Sequence, residues 1–457
     1  MPNILSLGGF FEIDEVMIHP KTAPLIFKLI FLTLSFLSAF AFSKADNVDE
    51  AVFLQAPVFS SAYSVEEAFN QHRKLPEDDI WWTAYGPSMA WNFKNLHQIF
   101  PTVNVYRQGE VRQLLSRRDK RIENFSVTVG NKEKSFSDFL FSESSTAMGV
   151  LILHKGDIVF EAYPRMKPHE KPIYWSVAKS FVGVLVRILE EAGRIDVSLP
   201  IDEYITSLRE SDLAGISVRD LLDMASGLKC SDSYEARDSC YYRYSMSIGD
   251  GYRENDPPDN PYDFAVQLTG VKERKPGEVY SYSGLNTFVL AWLVETVTRE
   301  PFHDTFSRLI WTRIGAQADA SYLAPRYGIP MTHGGFLSNM RDLARFGLLF
   351  TPSAKAIGAD DVISDEHVDF LLHDGRPHLM KATGLPEDAL AEIRHNIYQW
   401  DYVTKDGTIF KGGWAGQGLM INPSKDVVIV YTGFYKDDQM SEVPLQPIML
   451  GMIKELF

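Results

Sequence analysis

Tyr174-Trp175-Ser176-Val177-Ala178-Lys179 sets a serine three residues before a lysine, at the opening of a strongly apolar segment. On a helix, residues i and i+3 share a face, so this spacing lets the two side chains touch. A serine hydroxyl attacks a carbonyl only when a neighbouring base takes its proton. A lysine held among apolar groups loses hydration, and its neutral amine becomes available as that base. Backbone N–H groups at a helix start favour the anion that forms. Helix capping is the ordinary alternative use of a serine at such a position. A second S-x-x-K, Ser226-Gly227-Leu228-Lys229, contains glycine and follows a helix, so no helical turn holds its spacing.

Two further stretches carry suitable groups. Tyr280-Ser281-Tyr282-Ser283-Gly284 follows Pro276-Gly277. A tyrosine beside a lysine can relay protons, as phenolate or through its hydroxyl, although a lone tyrosine more often packs. Phe410-Lys411-Gly412-Gly413-Trp414 lies at the edge of an expected strand. Its glycines would let a substrate approach the strand, and the Trp414 N–H would then face an oxyanion; the plainer reading is a turn before a hairpin. There is no G-x-S-x-G elbow, no H-E-x-x-H and no P-loop, so neither a metal nor a cofactor is implied. The 11 histidines lack ligand spacing, and His333, His373, His378 and His395 read as surface or core groups. Cys230 and Cys240, the only cysteines, share a polar loop. In an oxidising compartment they would close a disulfide; the alternatives are two free thiols or a weak metal pair.

The elements that must position these groups follow from pattern. AMGVLILH reads as a buried strand from residue 147, His154-Lys155-Gly156-Asp157 as a tight turn and IVFEAY as the returning strand. A helix apolar on every face runs from Val177 to about Ala192 and closes at Gly193. SVRDLLDMASGL is a short helix capped by Ser217 and stopped at Gly227; NTFVLAWLVETVTRE and SNMRDLARFGLLF are helices too. GTIFKGG and GLMINPSKDVVIVYTGF return to strands around Asn422-Pro423, and a helix over 445–456 closes the chain. Strands thus cluster at 147–163 and 407–434. This predicts an α+β fold: an antiparallel sheet flanked by helices, with a mostly helical subdomain inserted over about 195–275 and parts of 300–400. The domain proper is expected over 146–457, with an extension over 46–145 packing on it. That extension holds the aromatic cluster Trp81, Trp82, Tyr85 and Trp91, and a basic run over 112–121 that reads as a solvated helix face.

Residues 22–42, TAPLIFKLIFLTLSFLSAFAF, are nearly all apolar, and Ala39, Ala41 and Ala45 supply small residues for cleavage. Residues 1–45 are therefore expected to be a signal peptide, with translation from Met17, or else an uncleaved anchor that would be the chain's only membrane contact. The expected location is periplasmic or secreted. With 45% hydrophobic and 23% charged residues the composition is globular, and the net charge of −15 argues against a nucleic-acid partner.

In order and spacing, Ser176-x-x-Lys179, Tyr282-x-Gly284 and Lys411-Gly412-Gly413 resemble the S-x-x-K, Y-x-N and K-T-G motifs of the serine β-lactamase and penicillin-binding superfamily. PGEVYSYS and RDLLDMASGL are similar to class C β-lactamases and their esterase and amidase relatives. WSVAKSFVGVLV, GGFLSNMRDLARFG and KGGWAGQGLMINPSKDVVIV resemble the 6-aminohexanoate-dimer hydrolase type, over about residues 90–457. The resemblance implies a β-lactamase/transpeptidase-like fold and a small-molecule amide or ester substrate. It implies Ser176 as acylated nucleophile, Lys179 as base, Tyr282 as proton shuttle, Lys411, Gly412 and Gly413 at the substrate edge, and an oxyanion hole from the N–H groups of Ser176 and Trp414. Gly284 and Gly412 depart from the asparagine and threonine of the pattern, which puts β-lactam recognition in doubt. A β-lactamase, a D-Ala-D-Ala carboxypeptidase and a catalytically degenerate binding module are the other readings.

Overall fold

The computed structural model describes residues 84–457 apart from 235, 252–259, 382 and 384. The apolar run 22–42, its candidate cleavage residues, Trp81 and Trp82 lie outside the described residues.

Seven antiparallel strands form the main sheet: β1 (Ala147–His154), β2 (Asp157–Ala162), β3 (Ile393–Ile397), β4 (Trp400–Thr404), β5 (Ile409–Gly413), β6 (Gln417–Asn422) and β7 (Val427–Gly433), in the order β2-β1-β7-β6-β5-β4-β3. Both faces are covered, which explains why these strands read as continuous apolar runs. Alternation still divides them. Met148, Leu151 and Leu153 of β1, Val428 and Val430 of β7, and Leu419 and Ile421 of β6 join the larger core. Val150, Ile152, Ile429, Tyr431 and Met420 face a second core closed by the C-terminal helix.

Five helices frame the sheet and the cavity beside it: α1 (Ala178–Glu191), α2 (Cys240–Ile248), α3 (Gly284–Thr298), α4 (Met340–Leu348) and α5 (Leu445–Leu456). Helix α1 is buried over most of its surface and ends at Ala192, with Gly193 at φ 66°. Asn339 caps α4 by accepting the Asp342 N–H. The helix after Ser217 spans only Val218–Leu222; Met224 then turns at φ 56°, so it stops before Gly227.

Two expectations fail. Strand signals cluster at 147–163 and 407–434, but β3 and β4 extend the sheet into a stretch that reads as helix and loop. Their hairpin turns at Tyr398 and Gln399, with φ 43° and 70° and no glycine to mark it. Asp223 accepts the Tyr398 N–H at 3.1 Å, and the Gln399 side chain bonds the Leu221 and Leu222 carbonyls and Thr287, holding the turn by tertiary contacts. Most of the basic run is not a helix face either; only Lys120 and Arg121 enter a short helix. Residues 106–119 are irregular, and Arg112 lends its carbonyl to the buried Arg345 guanidinium at 2.7 Å.

A disulfide joins Cys230 to Cys240 at the start of α2. Closing so short a loop stabilises by about 2–3 kcal/mol, because it restricts the unfolded chain. Reductant is therefore expected to lower the melting temperature and to add two hydrogens to the intact mass; an unchanged mass would show that the bond does not form.

Candidate active site

Ser176 sits in a short 3-10 turn, Trp175–Val177, that leads into α1. Trp175 takes φ 46°, a conformation side chains rarely adopt. Its ring is gripped edge-on by Phe93 and Trp414, with centroids 5.6 and 5.8 Å away. Through this kink Ser176 lines a cavity of about 500 Å³ while the rest of the segment stays in the core. Lys179 follows one turn later, fully buried, its Nζ 3.1 Å from Ser176 Oγ. That amine also donates to the His333 carbonyl at 2.9 Å and lies 3.8 Å from Asp232. Burial brings the Lys179 pKa down to about 8, with Asp232 opposing the fall and Lys411 adding to it.

Tyr282 comes from the segment just before α3 and lines the same cavity as Ser176. Lys411 donates to Tyr282 Oη at 2.9 Å and pairs with the Asp401 carboxylate. The two ammonium groups flank the Tyr282 ring, at 4.8 Å (Lys179) and 4.7 Å (Lys411) from its centroid. Burial, with the charges of Asp401 and Asp232, drives the Tyr282 pKa far up, which favours the neutral phenol. Burial likewise lowers the Lys411 pKa, while Asp401 resists.

Sheet register explains the Lys411–Asp401 pair. Ile409 opposes Val403 and Phe410 opposes Tyr402, so the next step sets Lys411 across from Asp401. Ile409 belongs to the larger core and Phe410 to the second, so alternation turns Lys411 to the side of α1. At Gly413 a Cβ would lie 2.2 Å from the Tyr174 carbonyl oxygen. Glycine there lets β5 press against the turn before Ser176, which brings Ser176 and Trp414 to the same cavity.

The other wall comes from the disulfide-linked loop and α2. Asp232 accepts the Gly284 N–H at 2.6 Å and gives its own N–H to the Tyr282 carbonyl, clamping the tyrosine segment. Ser283 Oγ donates to the Cys230 carbonyl at 2.6 Å, so the disulfide anchors that clamp to α2. Tyr234 donates to Asp250, and Tyr244 meets His333 Nδ1 at 2.9 Å.

Ser176, Lys179, Tyr282, Gly412, Gly413 and Trp414 thus share one cavity, with Lys411 set back behind Tyr282. Ser226 and Lys229 do not join them: Ser226 is buried and Lys229 exposed, on an extended segment that pairs Leu228 with Lys272. Asp232, Asp250, Asp401, Tyr234 and Tyr241 line the cavity and went unread in the sequence. His333 is buried, as a core group would be, yet it too lines the cavity. A signal existed for Asp401, a lone acid in the alternating run Trp400–Thr404. Among the described residues no cluster of His, Cys, Asp and Glu could hold a metal ion. A hydroxyl beside an amine of lowered pKa, in a largely apolar cavity, is equipped for acyl transfer.

Comparison with known proteins bears on the family and the fold. The profile of the Beta-lactamase family matches residues 133–439. The chain is 28% identical over 363 residues to a 6-aminohexanoate-dimer hydrolase of Paenarthrobacter ureafaciens, covering 79% of this chain and 89% of the relative. It is 21% identical over 220 residues to a Beta-lactamase of Providencia stuartii, covering 46% and 52%. A solved structure from Bacillus anthracis, provisionally assigned as a 6-aminohexanoate-dimer hydrolase, superposes with TM-score 0.66 at 20% identity, covering 84% of this chain and 96% of that one. The fold is therefore β-lactamase/transpeptidase-like.

The structure also accounts for both departures from the motifs. A Cβ at Gly284 would sit 2.8 Å from Tyr241 Oη and 2.9 Å from His333 Cδ2, so Tyr241 and His333 fill the space a side chain would need. At Gly412 a Cβ would stand 3.1 Å from the Phe410 ring, and the Asp401 carboxylate accepts the backbone N–H at 2.8 Å. Gly284→Asn is expected to cost about 1–3 kcal/mol of stability through overpacking, read as a lowered melting temperature. Melting at the parent temperature would show that Tyr241 and His333 yield freely.

Proposed function

The chain belongs to the Beta-lactamase family, and from that membership we propose that it hydrolyses small amides or esters through an acyl intermediate on Ser176. The observation that carries the proposal is the 3.1 Å approach of Lys179 Nζ to Ser176 Oγ, with burial holding the lysine near pKa 8. Hydrolase relatives support the reaction class.

In the proposed sequence neutral Lys179 takes the Ser176 proton as Oγ bonds the substrate carbonyl carbon. The N–H groups of Ser176 and Trp414 hold the resulting oxyanion. When the tetrahedral species collapses, the C–N or C–O bond breaks and the proton passes from Lys179 through the Tyr282 hydroxyl to the departing amine or alcohol. Water then attacks the acyl-serine, its proton returns along the same path, and the acid leaves with Ser176 restored. Lys411, donating to Tyr282 Oη, holds that hydroxyl between the nucleophile and the leaving group. Gly284 and Gly412 leave no side-chain donors for a β-lactam amide or carboxylate, which favours ester and amide substrates.

A fluorophosphonate probe is expected to label the unmodified chain at Ser176 and to leave Ser176→Ala unlabelled; an unlabelled parent would sink the proposal. Lys179→Ala should slow labelling by about 10²–10⁴-fold, the usual contribution of a general base. The pH dependence has a fixed sign. The working base is the neutral amine, so kcat/KM for a 4-nitrophenyl ester rises with pH and levels off above about 8. A profile flat through that region would remove Lys179 from the role.

A further inference from the structure

Two donors beside the cavity converge on one group: the Lys411 ammonium, set behind the lining, and the Gly412 backbone N–H. Such a pair is a seat for a carboxylate. A side chain of the protein already occupies it. Asp401 pairs with Lys411 through one oxygen and accepts the Gly412 N–H through the other at 2.8 Å. Lys411 is fully buried and set back from the cavity, whereas Asp401 is about a quarter exposed and lines it. A buried ammonium needs a counter-ion, and the cross-strand position supplies one permanently. Asp232 and Asp250 add two more carboxylates to the walls.

We infer that Asp401 is a specificity-determining residue: its carboxylate fills the anion seat of this site, so the site rejects substrates that carry a carboxylate next to the scissile bond. The inference rests on the proposed acylation of Ser176. An incoming carboxylate would have to displace Asp401 and would recover only the two hydrogen bonds that Asp401 gives up. If Asp401 stays, the newcomer meets a like charge at close range, and repulsion of this kind is how sites turn away the wrong partner.

The test compares kcat/KM within pairs of esters matched in size. One pair carries the carboxylate on the acyl side, 4-nitrophenyl butyrate against mono-4-nitrophenyl succinate. The other carries it on the leaving group, phenyl butyrate against 3-carboxyphenyl butyrate. Each rate is divided by that ester's rate of hydroxide hydrolysis. In the unmodified chain the neutral member is expected to win by about tenfold or more in both pairs. In Asp401→Asn, which keeps the shape and removes the charge, the anionic-to-neutral ratio should rise about tenfold in at least one pair. Asp401→Ser repeats the comparison if the asparagine variant folds poorly. A general loss of packing would lower both members together and leave the ratio alone. Parity between members in the unmodified chain, or an unmoved ratio in the variants, overturns the inference while leaving Ser176 chemistry intact. Neutral-ester turnover that survives Ser176→Ala would overturn the underlying reaction as well.

Discussion

The amine of Lys179 has been taken out of water, and the surrounding structure is arranged around that fact. An ammonium group buried without compensation is among the costliest things a protein can hold. The fold meets the cost by letting the amine lose its proton readily, and by giving it the His333 carbonyl and the Ser176 hydroxyl as neighbours. Asp232 stays at 3.8 Å, too far for a hydrogen bond, so it steadies the charged form without capturing it. The apolar α1 supplies the dry surroundings. The left-handed Trp175 lets the serine leave the core while the lysine remains inside.

The sheet supplies the other half. Antiparallel register, not loop placement, puts Asp401 beside Lys411, and alternation sends the pair toward α1 rather than toward α5. Sites built on strands are held more tightly than sites built on loops, because a shift of one residue would turn every side chain to the other face. Glycine at 413 is what allows the strand and the turn carrying Ser176 to meet. The glycines at 284 and 412 belong to a different logic: neighbouring side chains already occupy the volume and the hydrogen bonds that larger residues would use.

Much of this could be read from the sequence because it depends on local pattern. The Ser176–Lys179 spacing, the all-round apolar helix, the β1–β2 turn at Lys155 and Gly156, and the strands around Asn422 all have short-range causes. The β3–β4 hairpin does not. Tyr398 and Gln399 are unusual turn residues, and they hold their geometry through bonds to Asp223, Leu221, Leu222 and Thr287, remote in the chain. With that hairpin unread, Asp401 had no sheet position and no partner. Asp232 and Asp250 were hidden in a polar loop where acids are common, and their place at the cavity depends on the disulfide and on α2. His333 looked like any core histidine because its backbone carbonyl, not its ring, contacts Lys179.

The pairing of β1 with β7 bears on how the molecule comes to exist at all. The first strand of the sheet waits for the last, and between them the chain must contribute most of its helices and the sheet's other five strands. Contacts of such long sequence separation form late, since a large loop has to close before they repay its lost entropy. Until the C-terminal strand arrives, β1 and β2 make an isolated hairpin with both faces unclosed, and α1 has no sheet to lie on. The serine and lysine, neighbours in sequence, thus have their surroundings completed by strands that come late in the chain.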